Sequence, residues 1–118
     1  MTQPLNEDVL PVGNVADIGA SSTFDVAVTV RRASIVKGVV VNSVPAIDAI
    51  NTFEIEINGA VTSPVTLCLG SAAAGANTGE FVGAGRRLEV NPGDRIEVTC
   101  DGANTNTGLA YASVVLGR

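Results

Sequence analysis

Short runs rich in Val, Ile, Leu and Thr recur along the chain, separated by clusters of Gly, Asn, Asp and Pro. No long segment places apolar residues at i, i+3 and i+4, so no helix is expected. Runs punctuated in this way predict an antiparallel sandwich or barrel. Phe24 to Val30 alternates, with Phe24, Val26, Val28 and Val30 on the inner side, and Arg31-Arg32 ends it. Ser34 to Asn42 is apolar on both faces and reads as a central strand; Gly38 within it signals a bulge or a close backbone approach. A loop with Pro45 follows. Thr52 to Ile57 then puts Phe53, Ile55 and Ile57 inward and Glu54 and Glu56 outward.

Asn58-Gly59 is the sharpest local signal, because a type I′ hairpin turn needs positive φ at both central positions. Ala60 to Leu69 is therefore the antiparallel return strand, with Pro64 marking an edge or a bulge. Gly70 to Gly79 reads as a small-residue loop, with a short strand near Glu80-Phe81-Val82. Arg86 to Val90 is the next strand. Asn91-Pro92-Gly93-Asp94 suits a type II turn, and Arg95 to Cys100 reads as its hairpin partner. After a polar loop, Leu109 to Leu116 closes the chain as another two-faced strand. The expectation is an all-β, antiparallel β-sandwich of about eight strands.

The first twenty residues differ. Pro4, Pro11, Gly13 and Gly19 interrupt them, yet Leu5, Val9, Leu10, Val12, Val15 and Ile18 are apolar. They read as an extended N-terminal arm (residues 1–20) lying on its own domain or on a neighbouring subunit, with residues 21–118 forming the sandwich. The other reading makes this stretch the first edge strand of the same domain. Met1 to Asp8 has neither a basic region nor an apolar core, so no signal peptide is expected. No run has the length of a membrane span.

Composition narrows the function. The chain has 118 residues, 46% hydrophobic but only 3% aromatic, so Val, Ile and Leu must fill the core. A net charge of -5 and few aromatics argue against a nucleic-acid partner, which needs a basic footprint and stacking rings. There is no histidine, which removes Ser-His-Asp and Cys-His catalysis and the usual general base near neutral pH. Glu54 and Glu56 fall on one strand face roughly 6–7 Å apart, a spacing that overlaps glycosidase pairs but follows from any alternating strand. Asp101, Asn104 and Asn106 crowd one loop and could offer oxygen ligands to calcium, although such residues also simply build turns. No metal or cofactor is expected. Cys68 and Cys100 are too few for a disulfide framework. They read as free thiols, with one bridge between strands as the other reading. Arg31-Arg32 and Arg86-Arg87 are the only basic doublets. They either pair with acids and protect edges or meet an acidic protein surface.

The stretch Arg87-Leu-Glu-Val-Asn-Pro-Gly-Asp-Arg-Ile-Glu-Val-Thr-Cys-Asp-Gly, then Asn104-Thr-Asn-Thr-Gly-Leu-Ala-Tyr-Ala-Ser-Val-Val-Leu116, resembles the closing half of small jelly-roll proteins on tailed-phage virions. Phe53-Glu-Ile-Glu-Ile-Asn-Gly59 looks like their matching hairpin. Capsid decoration (cement) proteins and head fibres are the families resembled. The resemblance implies a jelly roll that assembles as a trimer on the outer capsid surface after synthesis in the host cytoplasm, bound to the major capsid protein. It needs no catalytic group and no cofactor. The expected contact residues are Leu5, Val9, Leu10, Pro11 and Val12 of the arm, with Arg86 and Arg87. A carbohydrate- or receptor-binding module of a phage fibre is the alternative, with a glycan as its ligand.

Overall fold

The computed structural model describes residues 7–48, 51–69, 72–75, 77–81 and 88–117. The described residues form ten strands: β1 (Glu7–Val15), β2 (Ser22–Thr23), β3 (Val28–Thr29), β4 (Ser34–Ser43), β5 (Asn51–Ile57), β6 (Ala60–Leu69), β7 (Asn77–Phe81), β8 (Glu89–Val90), β9 (Arg95–Cys100) and β10 (Ala110–Gly117). Among the described residues there is no helix.

Turn chemistry sets the β5–β6 hairpin as expected. Asn58 has φ 54° and Gly59 φ 83°, the two positive dihedrals of a type I′ turn. β6 is the edge of its sheet, and its register with β5 slips between Glu54 and Glu56, opposite the stretch that holds Pro64. Gly38 also sits at an irregularity: the β10–β4 register slips where Val115 faces Gly38 and Leu116 faces Val36.

One sheet runs β1-β10-β4-β7, with β8 further along β4; the other runs β2-β9-β5-β6, with β3 further along β9. Every pairing is antiparallel. β2 and β3 act as two pieces of one strand, and so do β7 and β8. Eight strand positions then pair first with last, second with seventh, third with sixth and fourth with fifth. This is a jelly roll, two four-stranded sheets face to face. Val12, Val36, Val39, Val41 and Val114 of one sheet meet Phe53, Ile55, Ile96 and Val98 of the other in a core that excludes solvent. Aliphatic side chains dominate it, and Phe24 and Phe53 supply its aromatic pair, with ring centroids 6.1 Å apart.

Three expectations are corrected or narrowed by the fold. Phe24 to Val30 is not one regular strand, and Val26 points outward. The Phe24 N–H bonds to Val98 of one sheet, but the next two, of Asp25 and Val26, bond to Asn14 and Val12 of the other. The chain thus steps between sheet edges here, and the alternation breaks. The Pro92-Gly93 turn is not a hairpin. Gly93 has the positive φ of a type II turn, 93°, and the Asp94 N–H bonds Asn91 O at 3.0 Å. Yet β8 pairs with β4 in one sheet while β9 pairs with β5 in the other, so the turn is a corner of the sandwich. Finally, residues 7–15 form the edge strand β1 on β10, and Val12, Val15 and Ile18 are core residues. From Glu7 onward, the stretch 1–20 is woven into the sandwich; residues 1–6 lie outside the described residues.

Cys100 is a free, buried thiol. Cys68 faces Thr52 and Cys100 faces Phe53 on opposite sides of β5. Two strand spacings, about 9–10 Å, separate them, beyond the reach of a disulfide.

Candidate functional site

Polar side chains gather in three clusters. The first binds the loops at one end of the sandwich. Asn104 is buried; its Oδ1 accepts the Asp48 N–H at 2.8 Å, and its Nδ2 donates to Ala46 O at 3.0 Å and Asn106 O at 2.9 Å. Asp48 in return accepts the N–H and the hydroxyl of Thr105. These bonds, the Thr105 hydroxyl first, hold the Asp48 carboxyl below the ordinary carboxylate range. Asn106 Nδ2 donates to Ala46 O, and Asp101 Oδ1 accepts the Ala103 N–H. Two of the oxygens considered for calcium, Asp101 Oδ1 and Asn104 Oδ1, thus already accept main-chain N–H groups. Among the described residues no three acids or thiols converge as metal ligands.

The second cluster clasps two turns at the other end. Asn58 Nδ2 donates to Asp94 Oδ1 at 3.0 Å, and Asp94 Oδ2 accepts the Asn91 N–H at 2.8 Å. The Asn91 N–H first, then the Asn58 amide, lowers the Asp94 carboxyl from its ordinary value. The third is the outer face of the β2-β9-β5-β6 sheet. Glu54 and Glu56 share that face as expected, beside Thr99 and Glu97 respectively. Glu54 borders a shallow polar hollow of about 190 Å³ with Thr52, Thr99 and Asp101. Arg95 lies 3.7 Å from Glu97. Such a face keeps a sheet solvated.

The outer face of the other sheet is mixed, apolar residues standing among Asn14, Ser113 and Asn42, with Val115 buried. The register lines up Val9 with Val115, Pro11 with Ser113 and Val40, and Asn14 with Tyr111 and Asn42. Val9 is 61% exposed and Tyr111 47%. Of the contact residues expected from sequence, Val9 and Pro11 are exposed on β1, Leu10 packs partly against the core, and Val12 is fully buried. Val12 therefore fills the core and cannot touch a partner, a correction that follows from the edge-strand pairing of β1. Leu5, Arg86 and Arg87 lie outside the described residues.

A cleft of about 670 Å³ opens beside β1. Leu10, Val28, Val30 and Leu116 line it, with Arg31, Arg32 and Asp8 at its mouth. Arg32 Nη2 donates to Asp8 Oδ2 at 3.0 Å, a solvent-exposed pair that contributes little stability. Arg31 has no ion-pair partner among the described residues. The basic doublet is plain in the sequence, but the apolar floor beneath it is not, because its residues come from β1, from β3 and the residue after it, and from β10.

No protein-family model, no curated protein and no solved structure matches the chain.

Proposed function

We propose that this jelly roll is a virion structural protein, a decoration or cement protein that binds the outer capsid surface and stabilises the shell. The observation that carries the reading is the contrast between its two outer faces. One displays Glu54, Glu56 and Glu97; the other displays Val9, Pro11 and Tyr111 at exposed positions. Exposed Val9, Pro11 and Tyr111, set among uncharged Asn14, Ser113 and Asn42, suit contact with protein, whereas an acidic face favours solvent. The described carboxyls of Asp17, Asp25, Asp48 and Asp94 accept main-chain N–H groups, which is structural use rather than catalysis.

The partner is the major capsid protein, and the protein itself assembles as a homotrimer. Weak individual contacts through such a face gain avidity when copies repeat over a lattice. The resemblance of the closing strands to tailed-phage decoration proteins supports the same assignment. The test is co-sedimentation with capsids of the virus that encodes the chain. The wild-type protein should pellet with them, and a Val9→Asp, Tyr111→Asp variant should stay in the supernatant while remaining folded. Equal pelleting of the two would mean that this face does not make the contact. Binding to glycans with no affinity for capsids would favour a fibre module instead.

A further inference from the structure

The open side of the sandwich lies between two edge strands, β1 of one sheet and β3 of the other. At one end their edges are laced together: the Asp25 N–H reaches Asn14 O at 3.2 Å and the Val26 N–H reaches Val12 O at 2.9 Å. Toward Asp8 and Arg31 no main-chain bond among the described residues crosses the gap, and it widens into the 670 Å³ cleft. That volume is within the usual range of ligand clefts. The floor is aliphatic: Leu10, Val28, Val30 and Leu116.

Charge at the mouth runs against the chain as a whole. The net charge is -5, yet the described mouth carries two arginines and one acid. Arg32 is committed to Asp8, which leaves the Arg31 guanidinium in excess. An arginine beside an apolar floor suits a carboxylate next to an apolar side chain, because its planar fork matches a carboxylate and is weakly hydrated. β1 has β10 on one side and no strand on the other along Asp8–Leu10, so an extended segment can lie along it by strand addition.

We propose that this cleft seats an extended acidic segment of a partner protein, one apolar side chain entering against Leu10, Val28, Val30 and Leu116 while a flanking carboxylate pairs with Arg31. Naming the partner as capsid protein rests on the decoration reading; the chemical preference of the cleft does not. Arg31 reads the charge, the floor reads the apolar group, and the β1 edge fixes the direction of the segment.

The test uses the full chain and synthetic peptides, with no capsid present, so it can fail independently of the decoration reading. Binding of acetyl-Ser-Glu-Leu-Glu-Ser-amide is followed by amide chemical shifts at low salt, beside the Gln and Lys versions of the same peptide. The Glu peptide should shift resonances from Leu10 and Val28 to Arg32 and bind about two- to fivefold tighter than the Gln peptide, as one exposed charge pair provides. Arg31→Glu should reverse the order, favouring the Lys peptide; that gain also shows that the variant is folded. Arg31→Gln should bind the three peptides alike. No preference for the Glu peptide, shifts elsewhere on the surface, or an unchanged order in Arg31→Glu would overturn the proposal. So would isovalerate binding as tightly as the peptide, since a small acid would then suffice.

Discussion

Asn58 and Asp94 lock two turns together across the end of the sandwich: the Asn58 side-chain amide donates to Asp94 Oδ1 at 3.0 Å, and its carbonyl accepts the Arg95 N–H at 2.9 Å. The Asn58 N–H also bonds Arg95 O at 2.8 Å. One residue thus makes the β5–β6 hairpin and fastens it to the corner between sheets. Asn58→Ala should lose both the positive-φ tolerance and the side-chain bonds, at a cost of about 2–3 kcal/mol. Asn58→Gly keeps the dihedral and should cost about 1 kcal/mol. Urea unfolding measures both, and equal losses would mean that the dihedral contributes nothing.

Acid should loosen the same clasp. Hydrogen bonds from Asn91 and Asn58 depress the Asp94 carboxyl below 3.8 in the folded state. A carboxyl depressed in this way stabilises the fold above its unfolded pKa, and that contribution is lost as pH falls through the folded value. Asp48 acts in the same direction through Thr105. The melting temperature should therefore be flat near neutrality and fall below about pH 4. Asp94→Asn should be less stable near neutrality and lose less on acidification. A variant that tracks the wild type in parallel down to low pH would remove Asp94 from the account.

Asn104 separates a structural loop from a calcium site. Its amide holds residues 46–48 and 104–106 together from a buried position. Asn104→Ala leaves buried groups unpaired and should cost about 2–4 kcal/mol. Asp101→Ala removes one exposed loop bond and should cost less than about 1 kcal/mol. Calorimetric melting with and without millimolar calcium completes the comparison: the two metal-free costs should stand in that order, and calcium should move neither the wild type nor the variants. A calcium-dependent rise lost in Asp101→Ala would restore the metal reading.

Removing residues 1–20 should unfold the protein rather than merely detach an adhesive strip. The deletion takes β1 from β10 and empties the core of Val12, Val15 and Ile18. Each buried aliphatic side chain of this kind contributes about 1.5–3 kcal/mol, which together rivals a small domain's whole stability. Circular dichroism and dispersed amide resonances of the truncated chain decide it. A cooperative melt with retained dispersion would show that β1 is dispensable.

The strands were legible where local chemistry decides alone. Asn58-Gly59 can make few other turns, and Phe53, Glu54, Ile55 and Glu56 alternate without interruption. Pro92-Gly93 signals a type II turn but not a corner, because that turn serves equally well within a sheet or between two. Val26 was misplaced because its N–H partner, Val12, belongs to the other sheet. Asn104 looked like an ordinary turn residue, since its partner Asp48 lies far away in sequence. The Arg31 cleft was half visible for the same reason: the doublet is local, and its floor is assembled from three strands.

Melting of capsid shells with increasing amounts of this protein tests the central proposal most directly. The shell's melting temperature should rise and saturate at a fixed number of copies per shell, with the protein recovered on the particles. An unchanged melting temperature, with the protein left free in solution, would contradict it.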